Sequence, residues 1–126
     1  MKKKYVYLTQ EEEIGLVKNY LEGDTQSFGP LFQKYQMIFY TKIKEWYGSA
    51  YKDPEEVNDM AIEFLGKISK KLHMYDSEKA QFNTWMTNSM RYFIMEYWNK
   101  KQRQKRIKQT ESLDRHHSMA DPSADI

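Results

Sequence analysis

Asp53-Pro54-Glu55-Glu56-Val57-Asn58-Asp59-Met60-Ala61-Ile62-Glu63-Phe64-Leu65-Gly66-Lys67-Ile68-Ser69-Lys70-Lys71-Leu72 decides the fold class. Its apolar residues Val57, Met60, Ala61, Phe64, Leu65, Ile68 and Leu72 recur at steps of three and four. That spacing lines one face of an α-helix. Asp53-Pro54 reads as the helix start, and Glu55 and Glu56 suit its positive end. From Asp53 to Glu63 the remaining charges are all acidic, with no base between them. Tyr75-Asp76-Ser77 breaks the pattern.

The neighbouring segments read the same way. Phe28, Leu31, Phe32, Tyr35, Ile38 and Phe39 also fall at helical spacing. They predict a helix that Asp24 and Thr25 cap, that tolerates Pro30 in its first turn, and that runs to about Trp46 before Gly48. Thr9-Gln10-Glu11-Glu12 is a capping-box pattern, which predicts a first helix over 10–21 with Gly23 as its stop. A fourth helix is expected from Phe82 to about Lys108. No strand pattern or internal repeat is found. The chain therefore reads as all-α, a compact bundle of about four helices. Residues 1–8 are an N-terminal extension, 9–111 the helical domain, and 112–126 a tail expected to be disordered for want of apolar content.

Composition narrows the function classes. At 126 residues the chain is expected to form one domain of modest stability. Hydrophobic residues make up 40%, but aromatics reach 15%, so a core small in count is still large in area. With no cysteine, disulfides and thiolate metal sites are excluded. No apolar run approaches the roughly 20 residues that span a bilayer, so no membrane association is expected. A cytoplasmic location follows as the expectation. His73, His116 and His117 form no closed ligand set, and no catalytic constellation or Gly-rich phosphate loop is seen. The reading is of a protein that is not an enzyme and needs no cofactor.

Charge distribution says more than the net charge of +2. Lys100, Lys101, Arg103, Lys105, Arg106 and Lys108 put six cations into nine residues with no acid. They follow a helix bearing Phe82, Trp85, Tyr92, Phe93, Tyr97 and Trp98. Aromatic faces stack on unpaired bases, and clustered cations displace the counterions of a phosphate backbone. Both in one segment suggest a protein that holds nucleic acid, partly single-stranded. A solvated helix end is the plainer account of the basic run, and a solvated face that of the acidic helix.

Three motifs, in order, resemble region 2 of the sigma-70 family of bacterial transcription initiation factors, most closely its small extracytoplasmic-function-like and phage-type members. Gly23-Asp24-Thr25-Gln26-Ser27-Phe28-Gly29-Pro30-Leu31-Phe32-Gln33-Lys34-Tyr35 is similar to the family's Gly-Asp-x-x-Ala-Phe-x-x-Leu-Tyr-x-x-Tyr. Asp59-Met60-Ala61-Ile62-Glu63, with Leu72 and Tyr75-Asp76, resembles its Asp-Leu-x-Gln-Glu helix ending in Phe-Asp. Phe82-Asn83-Thr84-Trp85-Met86, then Arg91 and the basic run, resembles Phe-x-x-Trp-Leu with its Arg and basic tail. The resemblance covers Leu16 to Leu113, and Ser112-Leu113-Asp114 is similar to the segment that follows region 2. The chain departs from the pattern at Ile62, where the family usually has Gln, and at Ser69, where it often has an aromatic. Region 4, the helix-turn-helix that reads the −35 element, is expected to be absent.

The resemblance implies partners and site residues. Asp59, Ile62, Glu63 and Gly66 would meet the clamp of the largest subunit of core RNA polymerase. Lys79, Asn83, Thr84, Trp85, Asn88, Arg91, Tyr92 and Met95, followed by Lys100, Lys101, Arg103 and Lys105, would meet promoter DNA. Trp85 would stack on a base flipped from a −10-like element, while Phe82 serves the core. Asn88 and Ser89 stand where housekeeping members carry a tryptophan pair that wedges the duplex, which implies weaker intrinsic melting. A separate region-4-like subunit, an activator or an anti-sigma factor would complete the partners. Two other readings stand beside this one. The chain could be a regulator that occupies the polymerase clamp and blocks other sigma factors, or a helical nucleic-acid-binding protein with no polymerase partner.

Overall fold

The computed structural model describes the backbone over residues 7–118 and the side chains over 7–108. Among these residues there are four α-helices and three single 3₁₀ turns, and no strand. They are α1 (Gln10–Leu21), α2 (Phe28–Tyr47), α3 (Pro54–Ser69) and α4 (Phe82–Ser118). The all-α expectation holds. The chain divides into two compact units, 1–91 and 92–126. Among the described residues no helix is long and apolar enough to cross a membrane.

Local chemistry sets the helix ends. The Glu12 backbone N–H donates to Thr9 Oγ1 at 3.1 Å, and the Thr9 N–H donates to Glu12 Oε1 at 3.2 Å. This is the predicted capping box, and α1 starts and stops at the predicted residues. Its C-terminus is closed by Gly23 at φ +112°. The Gly23 N–H donates to the Tyr20 carbonyl at 3.1 Å, and the Asp24 N–H to that of Asn19 at 3.0 Å. That pairing satisfies two orphan carbonyls and needs a residue that tolerates positive φ. Asp53 caps α3 by accepting the Glu55 N–H at 2.9 Å.

Three boundaries differ from expectation. A 3₁₀ turn over Thr25–Ser27 precedes α2, with Asp24 accepting from the Ser27 hydroxyl at 2.9 Å. Helix α3 ends at Ser69, because Lys70 and Lys71 donate three residues back and tighten the last turn. Leu72 falls in the 3₁₀ turn that follows and is buried there all the same. Helix α4 continues ten residues past Lys108, to Ser118. Of the expected tail, 112–118 is helical backbone, and 119–126 lies outside the described residues, as does 1–6 of the N-terminal extension.

The core of the first unit follows from the stripes. Val57, Met60, Ala61, Phe64, Leu65, Ile68 and Leu72 are all buried, as their spacing predicts. On α2 the buried line is Leu31, Tyr35, Phe39 and Ile43, while Phe28, Phe32 and Ile38 are half-buried. Helix α2 packs most extensively on α3, with the Phe39 and Phe64 rings stacked at 5.6 Å. Phe82, Met86 and Met90 of α4 complete the core.

Among the described residues one acidic side chain is buried with them. Glu13 of α1 is 2% exposed and accepts a short hydrogen bond from the Tyr35 hydroxyl. The Lys34 ammonium stands 3.3 Å from the same carboxylate and donates to the Leu8 carbonyl at 3.2 Å. Burial, and then the Glu13 carboxylate as acceptor and as a charge, push the Tyr35 phenol well above its ordinary value.

Candidate functional site

Asp59, Ile62, Glu63 and Gly66 lie three, four and seven residues apart on α3, opposite its buried stripe, and all four are exposed. Ile62 is 46% exposed, an uncovered branched side chain between two carboxylates. Glu63 also faces Lys67, with 3.8 Å between the charged atoms. A Cβ placed on Gly66 would meet nothing within 4 Å beyond its own turns of helix backbone and its two chain neighbours. Glycine inside a helix costs roughly 0.5–1 kcal/mol relative to alanine, and no neighbour in the chain requires it here. The stripe is acidic, with one apolar side chain and one bare patch of backbone. Such a surface suits a basic partner helix at close approach.

The start of α4 is held by a side chain of α1. The Phe82 N–H, first in the helix, donates to Gln10 Oε1 at 2.9 Å. Gln10 Nε2 donates to the Tyr75 hydroxyl at 3.0 Å, and that hydroxyl donates to the Ala80 carbonyl at 2.7 Å. Asp76 closes the intervening loop by accepting the Glu78 N–H at 2.9 Å. Lys79, in the same loop, is exposed.

This scaffold sets the aromatic residues. Phe82 is fully buried, as expected of a core residue, with Tyr35 and Tyr75 edge-on at 5.6 and 5.1 Å. Trp85 is half-buried, its ring 5.5 Å from Tyr75 and 5.8 Å from Phe82. It belongs to the rim of the core and is open to solvent in part. Asn83, Thr84, Asn88 and Arg91 are exposed. Ser89 turns inward to donate to the Trp85 carbonyl at 2.8 Å.

Asn83 borders a groove of about 440 Å³. Its other walls are Lys34, Met37, Ile38, Thr41 and Lys42 of α2, with Tyr7 and Leu8. Further along α2, Trp46 lies under the Arg91 guanidinium, 4.7 Å from carbon to ring centre. The Lys42 ammonium is 5.9 Å from the same ring and 3.3 Å from Glu45.

In the second unit Ile94 is buried, Phe93, Tyr97 and Trp98 are half-buried, and the Phe93 and Tyr97 rings are 6.2 Å apart. Tyr92 and Met95 are exposed, at 66% and 42%. Lys100, Lys101, Arg103 and Lys105 are also exposed. At 100, 101, 103, 105, 106 and 108 the cations fall all round the helix instead of along one stripe. Such a sleeve attracts phosphate from any side and carries no sequence preference.

Replacing Lys100, Lys101, Arg103 and Lys105 by Gln should weaken DNA binding about equally for all sequences. The slope of log affinity against log salt should become shallower by about one unit for each phosphate no longer neutralised. Titrations of one duplex across a salt series check this, and an unchanged slope removes the run from the interface.

The sequence pattern does not single out Gln10, Lys34, Lys42 or Trp46. The spacing of 34, 38, 42 and 46 on α2 is a usable signal, since it places one turn above another. Which helix they face is not written in it. Comparison with protein-family models, curated proteins and solved structures gave no match.

Proposed function

We propose that this chain is a sigma-like subunit that binds core RNA polymerase through α3 and engages a −10-like promoter element. The observation that carries the reading is the exposed line of Asp59, Ile62, Glu63 and Gly66 opposite a fully buried stripe. Those are the residues that the family resemblance assigns to the polymerase clamp. Further support comes from Asn83, Thr84, Asn88 and Arg91, which are exposed, and from Trp85, which is partly so. Phosphate contacts from the basic run would position the DNA, and contacts to bases would specify it. The polymerase supplies the chemistry.

Capture of core polymerase by the tagged chain, followed by transcription from a bacterial promoter library, tests the proposal. Capture without promoter-specific transcripts identifies a clamp-occupying regulator. No capture leaves a nucleic-acid-binding protein without a polymerase partner.

Trp85→Ala addresses the promoter step. Loss of one base stack of roughly 1–3 kcal/mol should reduce the open complex about five- to 150-fold. Because Trp85 also packs on Tyr75 and Phe82, a stability loss of about 2 kcal/mol is expected beside it. Permanganate footprinting on duplex and pre-opened templates separates the two effects. A pre-opened bubble should restore part of the signal, since the cost of extracting the base is gone. Normal opening on duplex DNA means that Trp85 serves the fold alone.

A further inference from the structure

We propose that Trp46 is a positioning residue for a nucleic-acid contact, holding the Arg91 guanidinium to take a backbone phosphate of single-stranded DNA, with Lys42 as the second cation. The inference rests on the nucleic-acid reading above and adds a second helix, α2, to that interface.

Arg91 is exposed, and among the described residues no carboxylate forms an ion pair with it. What holds it is the Trp46 ring, 4.7 Å from the guanidinium carbon. Tryptophan is the strongest cation–π partner within about 6 Å. A guanidinium against a ring keeps its N–H edges, which form a planar fork matched to phosphate. The ring thus restricts a long side chain without consuming its donors.

Lys42 supplies the second charge. It is four residues before Trp46 on α2, one turn away, and 5.9 Å from the same ring. Glu45, 3.3 Å from the Lys42 ammonium, is the acid beside this cluster. Two cations and one carboxylate leave an excess positive charge around one indole, which an anion would balance. Lys42 also lines the groove that Asn83 borders. A strand with a phosphate at Lys42 and Arg91 therefore has an adjoining base within reach of that groove. The mixed apolar and polar walls of the groove, Met37, Ile38, Thr41 and Asn83, suit a base.

The test is a double-mutant cycle on the full chain. Binding of a fluorescent single-stranded oligonucleotide is measured across a salt series, with thermal melting and polymerase capture as parallel readouts. Arg91→Ala and Trp46→Ala should each weaken binding about tenfold. Each should also flatten the salt slope by roughly 0.7. The double variant should be no worse than either single one, because both remove the same interaction. Trp46→Phe, which keeps a ring face, should recover most of the affinity. Arg91→Lys, at an exposed position that does not threaten folding, should lose affinity despite keeping its charge. Polymerase capture should persist throughout.

Losses that multiply in the double variant overturn the proposal, as does an unchanged slope in Trp46→Ala. So does full affinity in Arg91→Lys. A wild-type chain that binds no single-stranded DNA overturns the nucleic-acid reading itself.

Discussion

A chain carrying Asp59→Lys and Glu63→Lys together is expected to lose capture by core RNA polymerase while keeping its fold. Both carboxylates are exposed, on the face of α3 that the core does not use. Within the chain their visible cost is one exposed pair, Glu63 with Lys67 at 3.8 Å. Pairs of that kind contribute about 0.2–0.5 kcal/mol on a helix. Stability should therefore change by no more than about 0.5–1 kcal/mol. At an interface with a basic partner the same changes replace attraction by like-charge repulsion, which costs several kcal/mol. A loss of about 3 kcal/mol corresponds to a reduction in affinity on the order of 100-fold. Quantitative pull-down against a polymerase titration checks the first part, and urea unfolding checks the second. Wild-type affinity in the double variant would remove α3 from the interface and with it the main support for the proposed function.

The largest effect on stability is expected from Glu13→Ala. The Glu13 carboxylate is buried, accepts from the Tyr35 hydroxyl and pairs with Lys34 at 3.3 Å. Removing it takes the acceptor from the buried Tyr35 hydroxyl and the counter-charge from Lys34, which is only 15% exposed. Breaking a buried pair by deleting one partner costs about 3–5 kcal/mol, since the other charge stays desolvated. For a domain whose total stability is on the order of 5–15 kcal/mol, that is a large fraction. Glu13→Gln keeps an acceptor for Tyr35 and loses only the charge, so it should fall between wild type and Glu13→Ala. Urea titrations of the three chains give the order directly. A loss under about 1 kcal/mol in Glu13→Ala would mean that Tyr35 and Lys34 find other partners at little cost.

Helix identity was legible because it is local. The apolar steps from Val57 to Leu72, the Thr9 and Glu12 box and the Asp53-Pro54 start each act within a few residues of sequence. The acidic stripe was legible for the same reason. Once α3 is a helix with one buried face, the opposite face follows from the 3.6-residue period. Helix ends were less legible. The end of α3 at Ser69 depends on a tightening of its last turn, and Leu72 is buried whichever side of that end it lies on.

Glu13 shows where sequence reading stops. In the sequence it is one of three acids in the first turn of α1, and no motif sets it apart. Only the packing of α1 on α2 removes it from water and gives it Tyr35 and Lys34. Gln10 is a similar case, a helix-start residue whose side chain caps a helix 72 residues further on. Trp46 and Arg91 are 45 residues apart, and no periodicity within either helix pairs them. The sequence by itself determined that four helices form and which faces of α2 and α3 are apolar, because backbone geometry and side-chain spacing are properties of neighbouring residues. The tertiary structure alone decided which polar side chains are buried, capped or stacked, because those states depend on what another helix brings within a few ångströms.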